Sequence, residues 1–280
     1  MPADYRAPNI NARRLGLYLR RTRELLQLSY EEAAARVGCH ADWLVRVETG
    51  FVEPSPAEVE RLLERYQVRA AKVADVMIDL ASRPRGPQWL AAHLDDMKAE
   101  ERDALISESE ASVIRTYGVQ QVPELAQAEP YARFAASMSF SERDPDVYWD
   151  MLRNRQTYRP GGRRRFLDVI VDEAALSPRL DDDVLVPQLR HLLHLSEDTD
   201  AQVRIVPSSA PFYEERAYPF DVLEFPGVSD RISLTRSMFG IGFASADLSD
   251  TWEHIEEDAA LSPEESRDLI QRRLADRGAR

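Results

Sequence analysis

Between Leu15 and Val68 the apolar residues recur at helical spacing in four short blocks, and the residues that separate the blocks mark where each helix starts and stops. Leu15, Leu19 and Leu26 share one face, then Ala34 and Val37, then Leu44 and Val47, then Val59, Leu62 and Tyr66. Ser29 with Glu32 three residues on has the spacing of a capping box, in which a hydroxyl and a carboxylate satisfy free N–H groups at a helix start. Ser55, Pro56 and Glu58 repeat the device with proline at the first helical position. Gly38 stands just past the second block, where a helix end favours a residue that accepts positive φ. The pattern predicts a compact domain of short helices.

The second and third blocks, joined through Arg36-Val37-Gly38-Cys39, read as a helix, a tight turn and a helix of about nine residues. The run S-Y-E-E-A-A-A-R-V-G from Ser29, then eight residues, then V-E-T-G-x-x-x-P-S-P from Val47, resembles the XRE (Cro/C1-repressor-like) helix-turn-helix family over residues 12 to 70. The resemblance implies a lambda-repressor-like domain of four to five helices. In it the second helix touches the DNA backbone and the third enters the major groove.

Carried over by position, Tyr30 takes the phosphate or groove-edge place, while His40, Ala41, Asp42, Trp43 and Arg46 take the reading face and Leu44 and Val47 point inwards. Arg46 is the strongest reader, because a guanidinium donates two parallel bonds to guanine. The family usually has glutamine where Tyr30 stands and small polar residues at His40 and Trp43. The resemblance further implies an ion pair between the first helix and the end of the third, here Arg23 and Glu48. Buried, such a pair costs about 3 to 5 kcal/mol to break; exposed, it is worth under about 1 kcal/mol.

Charge is distributed unevenly. The net charge is −13, which argues against a general polyanion binder. Residues 10 to 70 nevertheless hold ten arginines against nine acids, while residues 71 to 280 hold 25 basic residues against 39 acidic ones. Within the first segment Arg13, Arg14, Arg20, Arg21 and Arg23 crowd the first helix, and Arg21 in particular is expected to meet DNA phosphate.

Cys39 is the single cysteine, so neither an intrachain disulfide nor a thiolate cluster is available, and its place in the pattern is that of a small core residue. No apolar run reaches the roughly 18 residues of a membrane span, and Met1 to Tyr5 lacks an export signal. A cytoplasmic location without membrane contact is expected.

Along the remaining chain, Arg69 to Ala81 reads as a helix with Val73, Val76, Met77 and Leu80 on one side, able to seal the small domain or to help it dimerise. Ser82 to Pro87 breaks the pattern and marks a boundary between a domain at 12–82 and one at 88–278. Helical spacing continues from Gln88, from Glu100 towards Ser112, towards Ser139, and over Asp144 to Tyr158. Val113 to Tyr117, Phe166 to Val171, Gln202 to Val206, Pro219 to Phe225 and Ile232 to Thr235 have strand composition, and Leu185 to Leu195 is helical. Ser262, Pro263 and Glu265 start a last helix. The whole is therefore expected to be mainly α, with an α/β C-terminal domain holding a small mixed sheet.

This larger part also carries recognisable phrases: Glu110-Ala-Ser-x-x-Ile114-Arg115-Thr116-Tyr117, Val122-Pro123-x-Leu125-x-Gln127-x-x-x-Tyr131-Ala132-Arg133, Val171-Asp-Glu-Ala-Ala-Leu176 and Leu261-Ser-Pro-Glu-Glu-Ser266. They resemble the C-terminal domain of unknown function of actinobacterial, antitoxin-like (Scr-type) XRE regulators. Those proteins are commonly encoded beside a small partner protein.

Signals for catalysis are weak. His191, His194 and Glu197 have a spacing that presents metal ligands on a helix, but they sit among leucines, where half-buried histidines are commoner; His93, Asp96 and Glu100 are a fainter case. Gly240-Ile-Gly242 lacks the third glycine of a nucleotide loop and reads as a flexible corner. An enzyme would need Asp172, Glu173, His191 and nearby arginines to converge in a cleft. No catalytic residue, metal or cofactor is assigned.

The leading expectation is a dimeric regulator that binds double-stranded DNA and whose acidic half senses a partner protein or a small-molecule effector. The alternatives are an antitoxin-like module acting mainly through a small partner, and an enzyme that has kept a helix-turn-helix scaffold.

Overall fold

The computed structural model describes residues 10–82, 88–91, 97–138, 144–159, 162, 164–176, 180–211, 214–225, 231–237 and 240–278. The expected boundary after Ser82 falls on residues outside this set, as do His93 and Asp96. The chain divides into two compact units, residues 1–107 and 108–280. No helix among the described residues is long and apolar enough to cross a membrane.

The first unit contains α1 (Ile10–Leu25), α2 (Tyr30–Val37), α3 (Ala41–Glu48), α4 (Pro56–Arg65), α5 (Ala71–Ser82) and the single turn α6 (Gln88–Ala91). Both capping boxes form: Ser29 and Ser55 each accept from the amide three residues on, and Glu32 and Glu58 accept from the serine amides. Leu15, Leu19, Val37, Leu44, Val47, Val59, Leu62 and Tyr66 make one core, to which α5 adds Met77 and Leu80.

Three apolar residues expected to face that core lie elsewhere. Val73 and Val76 are 43% and 45% exposed, so only half of the apolar side of α5 is covered. Leu26 is exposed because α1 ends at Leu25 and the chain reverses through Gln27 at positive φ; Leu28 packs against the core instead.

The second unit begins within α7 (Ala99–Glu110) and continues through β1 (Val113–Gly118), α8 (Glu129–Ser137), α9 (Pro145–Thr157), β2 (Phe166–Asp172), α10 (Asp182–Glu197), β3 (Ala201–Val206), β4 (Phe220–Glu224), β5 (Ile232–Ser237), β6 (Gly240–Phe243), α11 (Ser249–Asp258) and α12 (Pro263–Gly278). The strands form one mixed sheet in the order β3-β2-β1-β4-β5-β6. β1, β2 and β3 are parallel, and β4, β5 and β6 extend the sheet antiparallel.

One face packs Val169, Val171, Val203 and Ile205 against Leu185, Leu189 and Leu192 of α10 and Ile270 of α12. The other packs Tyr117, Ile170, Val206 and Phe220 against Trp252 and Ile255 of α11. β2 is thus buried on both faces at its centre, which is why Val169, Ile170 and Val171 are consecutive apolar residues with no alternation.

Gly240-Ile-Gly242 is a correction to the sequence reading. It forms β6, paired to β5 with Arg236 opposite Ile241 and Thr235 opposite Gly242. Strand composition misses it because glycine supplies no packing, and an edge strand is held by backbone bonds to one neighbour.

Candidate nucleic-acid interface

The geometry of α2 and α3 is set by the turn between them. Gly38 adopts φ 80°, and its amide donates to the Ala34 carbonyl at 2.8 Å, closing α2 with a left-handed residue. The chain enters α3 through His40 in an extended conformation, without a side-chain cap. Within α3, Leu44 and Val47 are buried and fix the inner face.

The outward residues are His40, Asp42 and Arg46, all exposed, with Ala41 and Trp43 half-buried. Trp43 leans on the helical core. Thr49 follows the helix and donates its hydroxyl to the Val45 carbonyl at 2.7 Å. Arg46 makes no side-chain ion pair among the described residues, so its guanidinium is uncommitted. Such a face offers donors and one acceptor carboxylate to a groove.

Beneath this face Arg23 and Glu48 meet. Arg23 Nε donates to Glu48 Oε1 at 2.8 Å and Nη2 to Oε2 at 2.8 Å, and Nη1 donates to the Leu28 carbonyl at 2.9 Å. The two side chains are 8% and 0% exposed. The hydrogen bonds that Arg23 donates to Glu48 hold its guanidinium above its ordinary pKa despite burial.

The Tyr30 ring lies over that guanidinium, with the Arg23 Cζ 3.9 Å from its centroid. Burial, with Glu48 close by, raises the Tyr30 phenol. Tyr30, expected at the groove edge, thus stacks on the ion pair.

The other arginines of α1 differ in availability. Arg20 is bound to Glu24 at 2.8 Å on the exposed surface, Arg13 and Arg14 are half-buried, and Arg21 is exposed. Cys39 is half-buried against the same core, and burial pushes its thiol up, away from reactivity.

In the second unit Asp172 and Glu173 are each engaged in an ion pair. Asp172 binds Arg216 at 3.0 Å. Glu173 accepts from the Ser208 amide and pairs with Arg273. His191 is half-buried with a sealed, unpartnered Nε2, and burial lowers its pKa. No group of three or more His, Cys, Asp or Glu residues suited to a metal ion occurs among the described residues.

Sequence spacing gives no sign of a buried polar cluster in this unit. Arg155 clamps Glu108 through two bonds of 2.9 and 2.7 Å and reaches Glu124 at 2.6 Å. Arg236 joins Glu124 at 2.7 Å and Asp221 at 2.9 Å, and Asp221 accepts from Thr116 at 2.5 Å. Burial alone would raise Glu108, yet Arg155 brings it below its ordinary value. The members come from separate segments, so no local motif announces them.

Comparison with known families gives two matches. A helix-turn-helix domain family matches residues 14–76, and a family described as a domain of unknown function (DUF5753) matches residues 102–272. No curated protein and no solved structure matches the chain.

Proposed function

Because this chain belongs to the DUF5753 domain family and carries a helix-turn-helix domain, we propose that it is a DNA-binding transcriptional regulator of the XRE type. Its domains are assigned to residues 12–82 for reading DNA and 88–278 for regulation. The supporting observation is α3 itself: Leu44 and Val47 hold its inner side, Glu48 pins its end, and Arg46 stands outward without an ion pair. Arg46 reads a base, with His40, Ala41, Asp42 and Trp43 shaping the contact, while Arg21 and Tyr30 flank it along the backbone.

The protein acts as a homodimer on paired half-sites, since one short recognition helix offers too few contacts for specific affinity. The acidic second half binds a small partner protein or a small-molecule effector and biases the first. Electrophoretic mobility shift against the DNA upstream of its own gene tests the reading. Arg46→Ala should lose about 1 to 3 kcal/mol of specific affinity. Unchanged affinity in that variant removes Arg46 as a reader, and no binding at low salt favours an antitoxin-like module that works through its partner protein.

A further inference from the structure

The helix α5 carries more apolar surface than its own unit covers. Ala74, Met77, Ile78, Leu80 and Ala81 pack on the helical core, while Val73 and Val76, on successive turns, continue the apolar arc past Leu80 and stay exposed. A single exposed valine is ordinary; two beside a buried leucine form a stripe.

Charge along that stripe is ordered. Arg69 and Lys72 lie at its N-terminal end and Asp79 at its C-terminal end, all exposed. Lys72 and Asp79 are about two turns apart, so they stand on the same edge of the stripe, and their midpoint nearly coincides with that of Val73 and Val76. A two-fold, antiparallel pairing of two such helices lays valine on valine and brings each Lys72 against Asp79 of the other copy, because one edge then meets the same edge of its partner. A parallel pairing would bring the basic ends together.

We propose that α5 is the surface through which this protein self-associates, pairing antiparallel with α5 of a second copy through Val73 and Val76. The proposal deepens the homodimer of the reading above and rests on that part of it alone. Two short helices bury less than the roughly 1,200 Å² of a standard interface, so the contact is weak in free protein. Copies held on neighbouring half-sites raise its effective concentration. Exposed ion pairs add little energy, so Lys72 and Asp79 select the direction of pairing rather than drive it.

The rival is a pair of isolated surface valines, and disulfide trapping in the full chain separates the two. Val76 lies next to the two-fold, so Val76→Cys should link to its equivalent in the other copy, where the Cα atoms come within the roughly 7 Å that a disulfide spans. Under mild oxidation it should form dimer about tenfold or more faster than Val147→Cys, a similarly exposed position on α9. Peptide mapping should find the link between the two copies of position 76. The parent protein, whose one cysteine is the half-buried Cys39, sets the background.

Lys72→Glu or Asp79→Lys, each added to Val76→Cys, should slow the linking, since each sets like charges opposite. Mixing the two charge variants should restore it, because the mixed pair opposes unlike charges at both contacts and a folding defect is not cured by mixing. The proposal is overturned if Val76→Cys links no faster than Val147→Cys, or if mixing restores nothing. Where trapping fails, sedimentation of the parent at rising concentration keeps the two failures apart: association then leaves the homodimer with its contact elsewhere, and a monomer throughout removes the homodimer as well.

Discussion

The Arg23 guanidinium and the Glu48 carboxylate, 25 residues apart in the chain, are joined by two parallel hydrogen bonds of 2.8 Å in the interior of the helical unit. Glu48 is the last residue of α3, so the pair sets where the recognition helix ends relative to α1. Tyr30, the first residue of α2, closes over it. Three helices are thus tied at one charged point within an apolar core, and loss of either partner leaves the other charged and dehydrated.

Glu48→Ala is therefore expected to cost about 3 to 5 kcal/mol of stability. The double variant Arg23→Met with Glu48→Leu, which removes both charges, should lose much less. Urea unfolding measures both, and a single-variant cost under about 1 kcal/mol would mean that the pair behaves as an exposed one.

Gly16 lets α1 approach the end of α3. A Cβ placed there would lie 2.5 Å from the Glu48 carbonyl oxygen and 2.7 Å from that of Val47. Backbone cannot yield as a flexible side chain does, so Gly16→Ala should destabilise by about 1 to 3 kcal/mol despite its better helix propensity. A melting temperature equal to the parent's would show that the helices separate at no cost.

Arg21 is exposed on α1. If it neutralises a phosphate, Arg21→Ala should weaken binding to specific and random duplexes alike, and the slope of log affinity against log salt should fall by about 0.9. Titrations at several salt concentrations give the slope directly; an unaltered slope removes Arg21 from the interface.

Asp168 on β2 titrates in the opposite sense to an ordinary ion-paired carboxylate. Burial raises it to about 6; Arg204 and Arg115 oppose the rise and Glu256 adds to it. The folded state then binds the proton more tightly than the unfolded chain, whose value is about 3.9. The resulting stabilisation is complete below about pH 4 and is lost as pH rises to about 6, in all about 3 kcal/mol. Asp168→Asn does not titrate, so its stability relative to the parent should improve across that window. A constant difference between the two proteins from pH 4 to 7 would contradict the shift.

What the sequence determined by itself was the local architecture: the short helices of the first unit, their serine caps, the glycine that ends α2 and the twice-buried strand β2. These signals act within a few residues, because a cap satisfies nearby amides and an apolar period matches the pitch of one helix or the pleat of one strand. The mixed α/β class followed from the succession of such elements. β6 stayed hidden because glycines carry no pattern, and Leu26 was misplaced because a helix end one residue earlier turned it outwards.

Only the tertiary structure decided which strands became neighbours and that Tyr30 stacks on Arg23. Arg236 and Glu124 are 112 residues apart and still share a bond. Whether a charge inside a protein is paired depends on groups brought together from distant segments, and short-range periodicity contains no record of that meeting.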